Sequence, residues 1–238
     1  MIVSVVVPMK DEEGSLPVLA REMAGLARLL AERGHGLDVV LVDDGSTDGT
    51  AAAAEAWCAA APGRRLLRHD RNRGFGAGLR TGVGATTGDV VASYDADCAY
   101  PAADVLPLLA AIEAGADVAT ATPFAEGGAV RVGWFRSMMS RSCSLVYRVA
   151  LRGRSRGVRT FTCAFRVYRG DLVRGIAWRS DGFLAAAEVL SLCLLRGARV
   201  VEVPSTLRDR FAGTSKMRVA RTALGHLRQA ARLAVAGG

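Results

Sequence analysis

Five cysteines occur in the 238 residues, and no two stand at CxxC spacing. A zinc site or a paired disulfide framework is therefore not expected. Cys58, Cys98, Cys143, Cys163 and Cys193 read instead as reduced, mostly buried thiols of a cytosolic protein. No run reaches 18 uncharged apolar residues; the best, 183–195, is 13 long and contains Glu188, so no membrane-spanning helix is expected. Met1 leads into an apolar run without a basic leader, which argues against a signal peptide. Aromatic residues make up only 6%, and no helix-turn-helix, zinc-finger or RNA-recognition pattern occurs, so nucleic acid is not the expected partner. The glycines at 74–78 lack GxGxxG spacing and do not follow the first strand, which sets aside a dinucleotide-dependent dehydrogenase. His35, His69 and His226 fall in no metal-like spacing, and no internal repeat or long linker interrupts the chain.

Half of the residues are hydrophobic, enough for a sizeable core. The formal net charge of +8 is unevenly spread. Residues 1–126 carry 10 basic and 18 acidic side chains, a net of −8. Residues 127–179 carry 12 arginines against Asp171 alone, a net of +11, and residues 180–238 add +5. An acidic half joined to an arginine-rich half implies two binding chemistries on one body.

Apolar β-branched runs at 2–8, 37–42 and 117–122 alternate with helix-periodic stretches at 15–34, 48–61, 76–85 and 104–114, with shorter strands at 65–69 and 89–94. Asp48 is the N-cap candidate of the second helix. Further on, helices are expected at 134–151 and 183–196, strands at 165–168 and 199–203, and a helix from Met217 onward. The alternation predicts an α/β fold with a single Rossmann-like, mainly parallel sheet sandwiched by helices. In such sheets ligands bind at the carboxyl ends of the strands. Three of those ends carry polar clusters: Lys10-Asp11-Glu12-Glu13, Asp43-Asp44-Gly45-Ser46-Thr47-Asp48 and Asp95-Ala96-Asp97. Carboxylates at i and i+2 past a strand end suit Mg²⁺ or Mn²⁺, which in turn neutralise a diphosphate.

In this order the clusters resemble glycosyltransferases of family 2, which have the GT-A fold. Val5-Val6-Val7-Pro8 with Asp11-Glu12, the stretch from Val42 to Thr50, and Asn72-Arg73-Gly74-Phe75-Gly76-Ala77 are similar to that family's nucleotide-binding elements. Asp95-Ala96-Asp97 looks like its metal-binding DxD motif. The dolichyl- or polyprenyl-phosphate mannosyltransferase and glucosyltransferase branch fits best. Its basic helix resembles 136–141 and its FRLYR-type strand Phe165-Arg166-Val167-Tyr168-Arg169. Gly182-Phe183 with Glu188, Glu202-Val203-Pro204, and 210–216 complete a likeness covering roughly residues 3–220.

The resemblance implies a metal-dependent inverting enzyme that takes a hexose from GDP-mannose or a UDP-hexose. Asp95 and Asp97 would hold the metal, and Pro8, Glu12, Asp43, Asp44, Asn72 and Gly74 would bind the donor. Asp95, Asp97, Arg210 and Lys216 form the expected catalytic set. Arg136, Ser140 and Ser215 would meet the acceptor phosphate. A phosphate acceptor needs no strong general base, since its second pKa lies near about 6; for a hydroxyl acceptor, Asp181 or Glu188 is the candidate base. Two positions depart from the branch. Ala99 stands where it has Gln and Pro123 where it has Arg, and both bear on donor affinity and on the sugar carried.

Residues 1–216 are thus expected to form the catalytic domain, with a nucleotide-sugar half (1–126) and an acceptor half (127–216). In 217–238, at about 100° per residue, Met217, Ala220, Leu224, Leu227, Ala231 and Val235 share one side, beside an arc of Arg218, Arg221, Arg228 and Arg232. That pattern fits a helix lying in a membrane interface, or a helix packed on the core. A peripheral position on the cytoplasmic membrane face follows from the first. The alternatives are a soluble transferase acting on a small-molecule hydroxyl, and a catalytically silent nucleotide-sugar-binding protein.

Overall fold

The computed structural model describes residues 1–130, 134–155, 157–208 and 219–236, with the side chains of 130, 134–137, 219–223 and 236 outside the description. The first half alternates β1 (Ile2–Met9), α1 (Leu16–Ala31), β2 (Gly36–Asp43), α2 (Thr50–Ala59), β3 (Arg64–Arg68), α3 (Phe75–Gly84), β4 (Val90–Ser93), α4 (Val105–Glu113) and β5 (Val118–Thr122). The second half holds β6 (Ala129–Val130), α5 (Trp134–Ala150), β7 (Arg166–Arg169), α6 (Gly170–Arg174), α7 (Leu184–Leu195), β8 (Val200–Pro204), β9 (Thr206–Leu207) and α8 (Val219–Ala236). The seven-stranded sheet runs β3-β2-β1-β4-β7-β5-β8, and β6 pairs with β9 separately. Within the large sheet β7 alone is antiparallel to its neighbours, so the mainly parallel α/β sandwich expected from the sequence is what forms.

The β-branched run of β1 is apolar on both faces because both are covered. Val3, Val5, Val7 and Met9 enter one core with Leu16, Leu19, Met23, Leu26 and Leu30 of α1. Val6 faces the other, with Leu79 and Val83 of α3 and Val189 and Leu190 of α7. The 3-4-3-4 spacing of the α1 side chains puts them on one stripe, and each contributes roughly 1.5–3 kcal/mol by leaving water. α7 is apolar nearly all round because it is buried nearly all round, from Ala185 to Leu194. The 13-residue apolar run of the sequence is therefore a core helix, and among the described residues no helix is long and apolar enough to cross a membrane.

Two local expectations change. Gly49, not Asp48, occupies the N-cap of α2; Asp48 sits one position earlier, its Oδ1 accepting from the Thr50 amide at 3.0 Å. α8 does pack on the core, but through His226, Gln229, Ala230 and Leu233, not through the stripe read from the sequence. Leu224, Leu227 and Val235 of that stripe remain 49%, 53% and 84% exposed. Met217 and Arg218 lie outside the described residues.

Candidate active site

The sheet order places β2, β1 and β4 side by side, so the three polar clusters converge beyond one edge. Most acidic side chains there bind the loops to one another. Asp11 Oδ1 accepts from the Thr47 amide at 2.8 Å and from Lys10 Nζ at 3.0 Å, while Lys10 also donates to the Gly45 carbonyl at 2.8 Å. Glu13 accepts from the Gly49 amide at 3.0 Å. Glu12 takes the Ser15 hydroxyl at 2.7 Å, and its amide donates to Thr50 Oγ1 at 2.7 Å. Asp44 is buried and turned inward: it accepts from the amides of Arg73 and Gly74 at 2.9 and 2.7 Å and pairs with His69 Nδ1 at 2.6 Å. Since an ionised carboxylate only accepts, His69 Nδ1 donates to Asp44, and Nε2 shares a hydrogen bond with Thr81 Oγ1 at 2.9 Å.

A cavity of about 470 Å³ opens at the ends of β2 and β3, lined by Asp43, Gly45, Ser46, Thr47, Arg68, His69 and Asp70. That volume lies within the range of about 300–1,000 Å³ of small-molecule sites. Asp43 accepts from the Ser46 amide at 3.1 Å and faces Arg68 Nε at 3.6 Å. Of the six donor-binding residues expected from the sequence, Asp43 alone lines this cavity. Pro8 is buried beneath Gly78, Asn72 is exposed on a turn, and Glu12, Asp44 and Gly74 are engaged as described. The lining residues Arg68, His69 and Asp70 were missed, although they follow a parallel strand whose carboxyl end the strand-end rule covers.

The glycines of 74–78 admit protein backbone at close quarters. At Gly74, φ is +99° and a Cβ would sit 2.5 Å from the Asp181 carbonyl oxygen. That carbonyl accepts from the Gly76 and Ala77 amides at 2.6 and 3.1 Å, so the first turn of α3 is capped by a loop a hundred residues away. Gly45, at φ +66°, lies equally close to the backbone at Arg71, which brings the segment ahead of that turn against the rim of the cavity.

Asp95 is half-buried past the end of β4, and Asp97 is 8% exposed with Oδ1 accepting from the Ala99 amide at 3.1 Å. Two hard carboxylates at this spacing, with no third His, Cys, Asp or Glu grouped on them among the described residues, suit Mg²⁺ or Mn²⁺ whose remaining ligands come from phosphate and water. Ala99 acts through its backbone, its carbonyl accepting from the Arg208 amide at 2.8 Å.

On the other side, one face of α5 grips the segment 160–163. Ser140 Oγ bonds Thr162 Oγ1 at 2.7 Å, Ser144 Oγ accepts from the Phe161 amide at 3.1 Å, and the Tyr147 and Phe161 rings stack at 5.4 Å. Fully buried Arg166 donates to the carbonyls of Phe161, at 2.7 Å, and Ala186. The Arg141 guanidinium lies 4.8 Å over the ring of Phe124, the residue after Pro123 in sequence. Arg136 falls within α5 with its side chain outside the description, and Arg210, Ser215 and Lys216 lie outside the described residues. Of the two candidate bases, Asp181 pairs with Arg80 at 3.0 Å, and Glu188 accepts from the amides of Arg179 and Ser180 at 3.2 and 2.8 Å. Burial pushes the Cys98, Cys163 and Cys193 thiols up to about 12, 11 and 12, so they stay protonated at neutral pH.

This site sits in a chain with well-defined kin. It is 30% identical over 226 residues to polyprenol monophosphomannose synthase of Mycolicibacterium smegmatis, covering 90% of this chain and 80% of that one. It is 29% identical over 224 residues to an undecaprenyl-phosphate 4-deoxy-4-formamido-L-arabinose transferase of Enterobacter sp., covering 90% of this chain and 62% of that one. Glucosyl-3-phosphoglycerate synthase of Mycobacterium tuberculosis, solved with Mn²⁺ and UDP-glucose, shares the fold with a TM-score of 0.73 at 19% identity, over 97% of this chain and 79% of that one. The pattern defining glycosyl transferase family 2 matches residues 4–176. A mainly parallel sheet with its carboxylates at adjoining strand ends is what that match leads one to expect, and the chain belongs to glycosyltransferase family 2.

Proposed function

We propose that the enzyme transfers a hexose of the mannose or glucose type from GDP-mannose or a UDP-hexose to a polyprenyl phosphate, working peripherally at the cytoplasmic membrane face. The observation that carries the lipid acceptor is the outward face of α8. The helix is held to the core by one side, yet Leu224, Leu227 and Val235 stay exposed beside Arg228 and Arg232. An apolar stripe flanked by arginines suits the boundary between lipid headgroups and acyl chains.

In this reading the nucleotide lies in the cavity beside Asp43, and Asp95 and Asp97 hold Mg²⁺ or Mn²⁺. When bound, the cation neutralises the diphosphate and eases its departure. The acceptor's phosphate oxygen attacks the anomeric carbon from the face opposite the donor phosphate. The new C–O bond forms as the old one breaks, the nucleoside diphosphate leaves with the bonding pair, and the anomeric centre inverts. The attacking oxygen is largely deprotonated at neutral pH, so no base is required. The engagement of Glu188 with two backbone amides and of Asp181 with Arg80 supports that reading. Arg136, Ser140, Arg210, Ser215 and Lys216 gather the acceptor phosphate, and Arg141 adds a cation over Phe124.

The test is a transfer assay with Mn²⁺, GDP-mannose, UDP-glucose and short-chain polyprenyl phosphate, run beside phosphoglycerate and simple hydroxyl acceptors. A glycosyl phosphopolyprenol product is expected. Turnover confined to the water-soluble acceptors would sink the lipid reading, and binding without any turnover would leave a silent nucleotide-sugar-binding protein.

A further inference from the structure

Glu188 carries an arrangement that neither nucleotide binding nor acceptor binding explains. Its side chain is 4% exposed, in the middle of α7. One oxygen accepts from the Arg179 amide and the other from the Ser180 amide. Arg232 of α8, itself 54% exposed, closes over the first oxygen at 3.1 Å. The two amides belong to the loop whose next residue, Asp181, caps the first turn of α3 with its carbonyl. From there the path continues through the Gly74 amide to Asp44, the neighbour in sequence of the cavity residues Asp43 and Gly45.

A carboxylate this deeply buried is stable as an anion only while its acceptor sites are filled, and the guanidinium supplies its positive charge. Removing Arg232 leaves the loop held by a less well compensated carboxylate. The turn that depends on that loop contains Gly74 and Gly76, and a glycine turn has little stiffness of its own. Its shape must come from what it is bonded to.

We infer that Glu188 and Arg232 are positioning residues for the donor site, a clasp through which α8 sets the turn at 74–77. The inference rests on the cavity being the donor site, but not on the identity of the acceptor. α8 thereby acquires a second role beside the membrane contact proposed above: it braces the nucleotide half.

A chain of contacts is not yet a coupling, so the test measures one. Hydrogen exchange of the full chain at the amides of 74–77 needs no ligand and reads the turn directly. Affinity for GDP and for UDP, each with Mn²⁺, reads its consequence without any acceptor. Arg232→Ala changes a half-exposed side chain and keeps the fold, whereas Glu188→Gln removes the buried charge. Exchange at 74–77 is expected to quicken about tenfold in either variant, and nucleotide affinity to fall three- to tenfold. Arg232→Lys should restore most of both, and the double variant should behave like the single ones, since both remove one interaction. Exchange at 74–77 equal to the parent protein, loosening spread evenly over the chain, or unchanged nucleotide affinity overturns the inference. Failure of the polyprenyl phosphate assay alone does not touch it.

Discussion

In residues 1–126 the carboxylates act mostly on backbone amides, whereas in the second half the arginines act mostly on side chains, rings and carbonyls or stay exposed. Asp11, Glu13, Asp44 and Asp48 each accept from at least one amide of the strand-end loops. By contrast, Arg141 lies on Phe124, Arg166 on two carbonyls, Arg232 on Glu188, and Arg148 and Arg152 are exposed. The −8 of the first half therefore overstates the carboxylate oxygens available to a ligand, because several already accept from loop amides. In the second half Arg148 and Arg152 are exposed, whereas Arg166 is buried and Arg232 is tied to Glu188. Net charge by segment is only a sum; the hydrogen bonds decide how much of it reaches a partner.

Substituting carboxylates of the two kinds should separate them most sharply. Asp97→Asn is expected to lower kcat at least about 100-fold with Mn²⁺ present while the melting temperature stays within a few degrees; full turnover would remove Asp97 from the metal site. Asp44→Ala should do the reverse. It leaves two amides and His69 without their acceptor, so unfolding by urea should show a loss of roughly 2–4 kcal/mol, with the effect on activity appearing chiefly as a higher donor KM.

The second half is probed at its surface. Leu224→Ser, Leu227→Ser and Val235→Ser together should reduce co-sedimentation with anionic vesicles about tenfold or more without shifting the urea midpoint, since all three side chains are already exposed. Undiminished sedimentation, or a parent protein that does not sediment, would remove this face of α8 as a membrane contact. Arg141→Ala should raise the acceptor KM several-fold and leave donor KM alone; the opposite split would assign this cation to the nucleotide half.

The smallest effect concerns α8 itself. Tyr147 donates to Gln229 Oε1, whose amide nitrogen is fixed on the Leu184 carbonyl, and so receives the Nδ1–H of His226. Burial holds the His226 imidazole below its usual value, so it is neutral when folded at neutral pH. The unfolded chain then binds the extra proton first. Stability should fall as pH drops through about 6.5 and level off below the folded value, at about 1.4 kcal/mol per unit of depression. His226→Gln should flatten that slope, as denaturation between pH 5 and 7 would show.

The alternation of strands with helices and the three polar strand ends were legible because β-branched runs and strand-end carboxylates are local signals; the spatial order of the strands was not. That reasoning pointed to Asp43, which lines the cavity, and to Asp95 and Asp97, which lie past the end of β4. What escaped it depends on direction or distance. Asp43 and Asp44 are adjacent, but only the first lines the cavity, since the strand pleat turns the second toward His69 and the 73–74 turn. The glycines at 74 and 76 suggest close approach without saying of what, and the partner lies a hundred residues on. The periodicity of α8 marked its apolar stripe, yet the core side is half polar, because His226 and Gln229 find a phenol and a carbonyl there.

The antiparallel strand β7 has a consequence for synthesis. Val90 of β4 pairs with Arg169, so β4 gains its second partner only after β7 has been made. At roughly 5–20 residues per second, a nascent chain that has just completed residues 1–126 spends seconds with β4 as an unpaired edge, the kind of edge that invites pairing between chains. A stop ahead of β7 should therefore yield an aggregating fragment, not a free N-terminal domain.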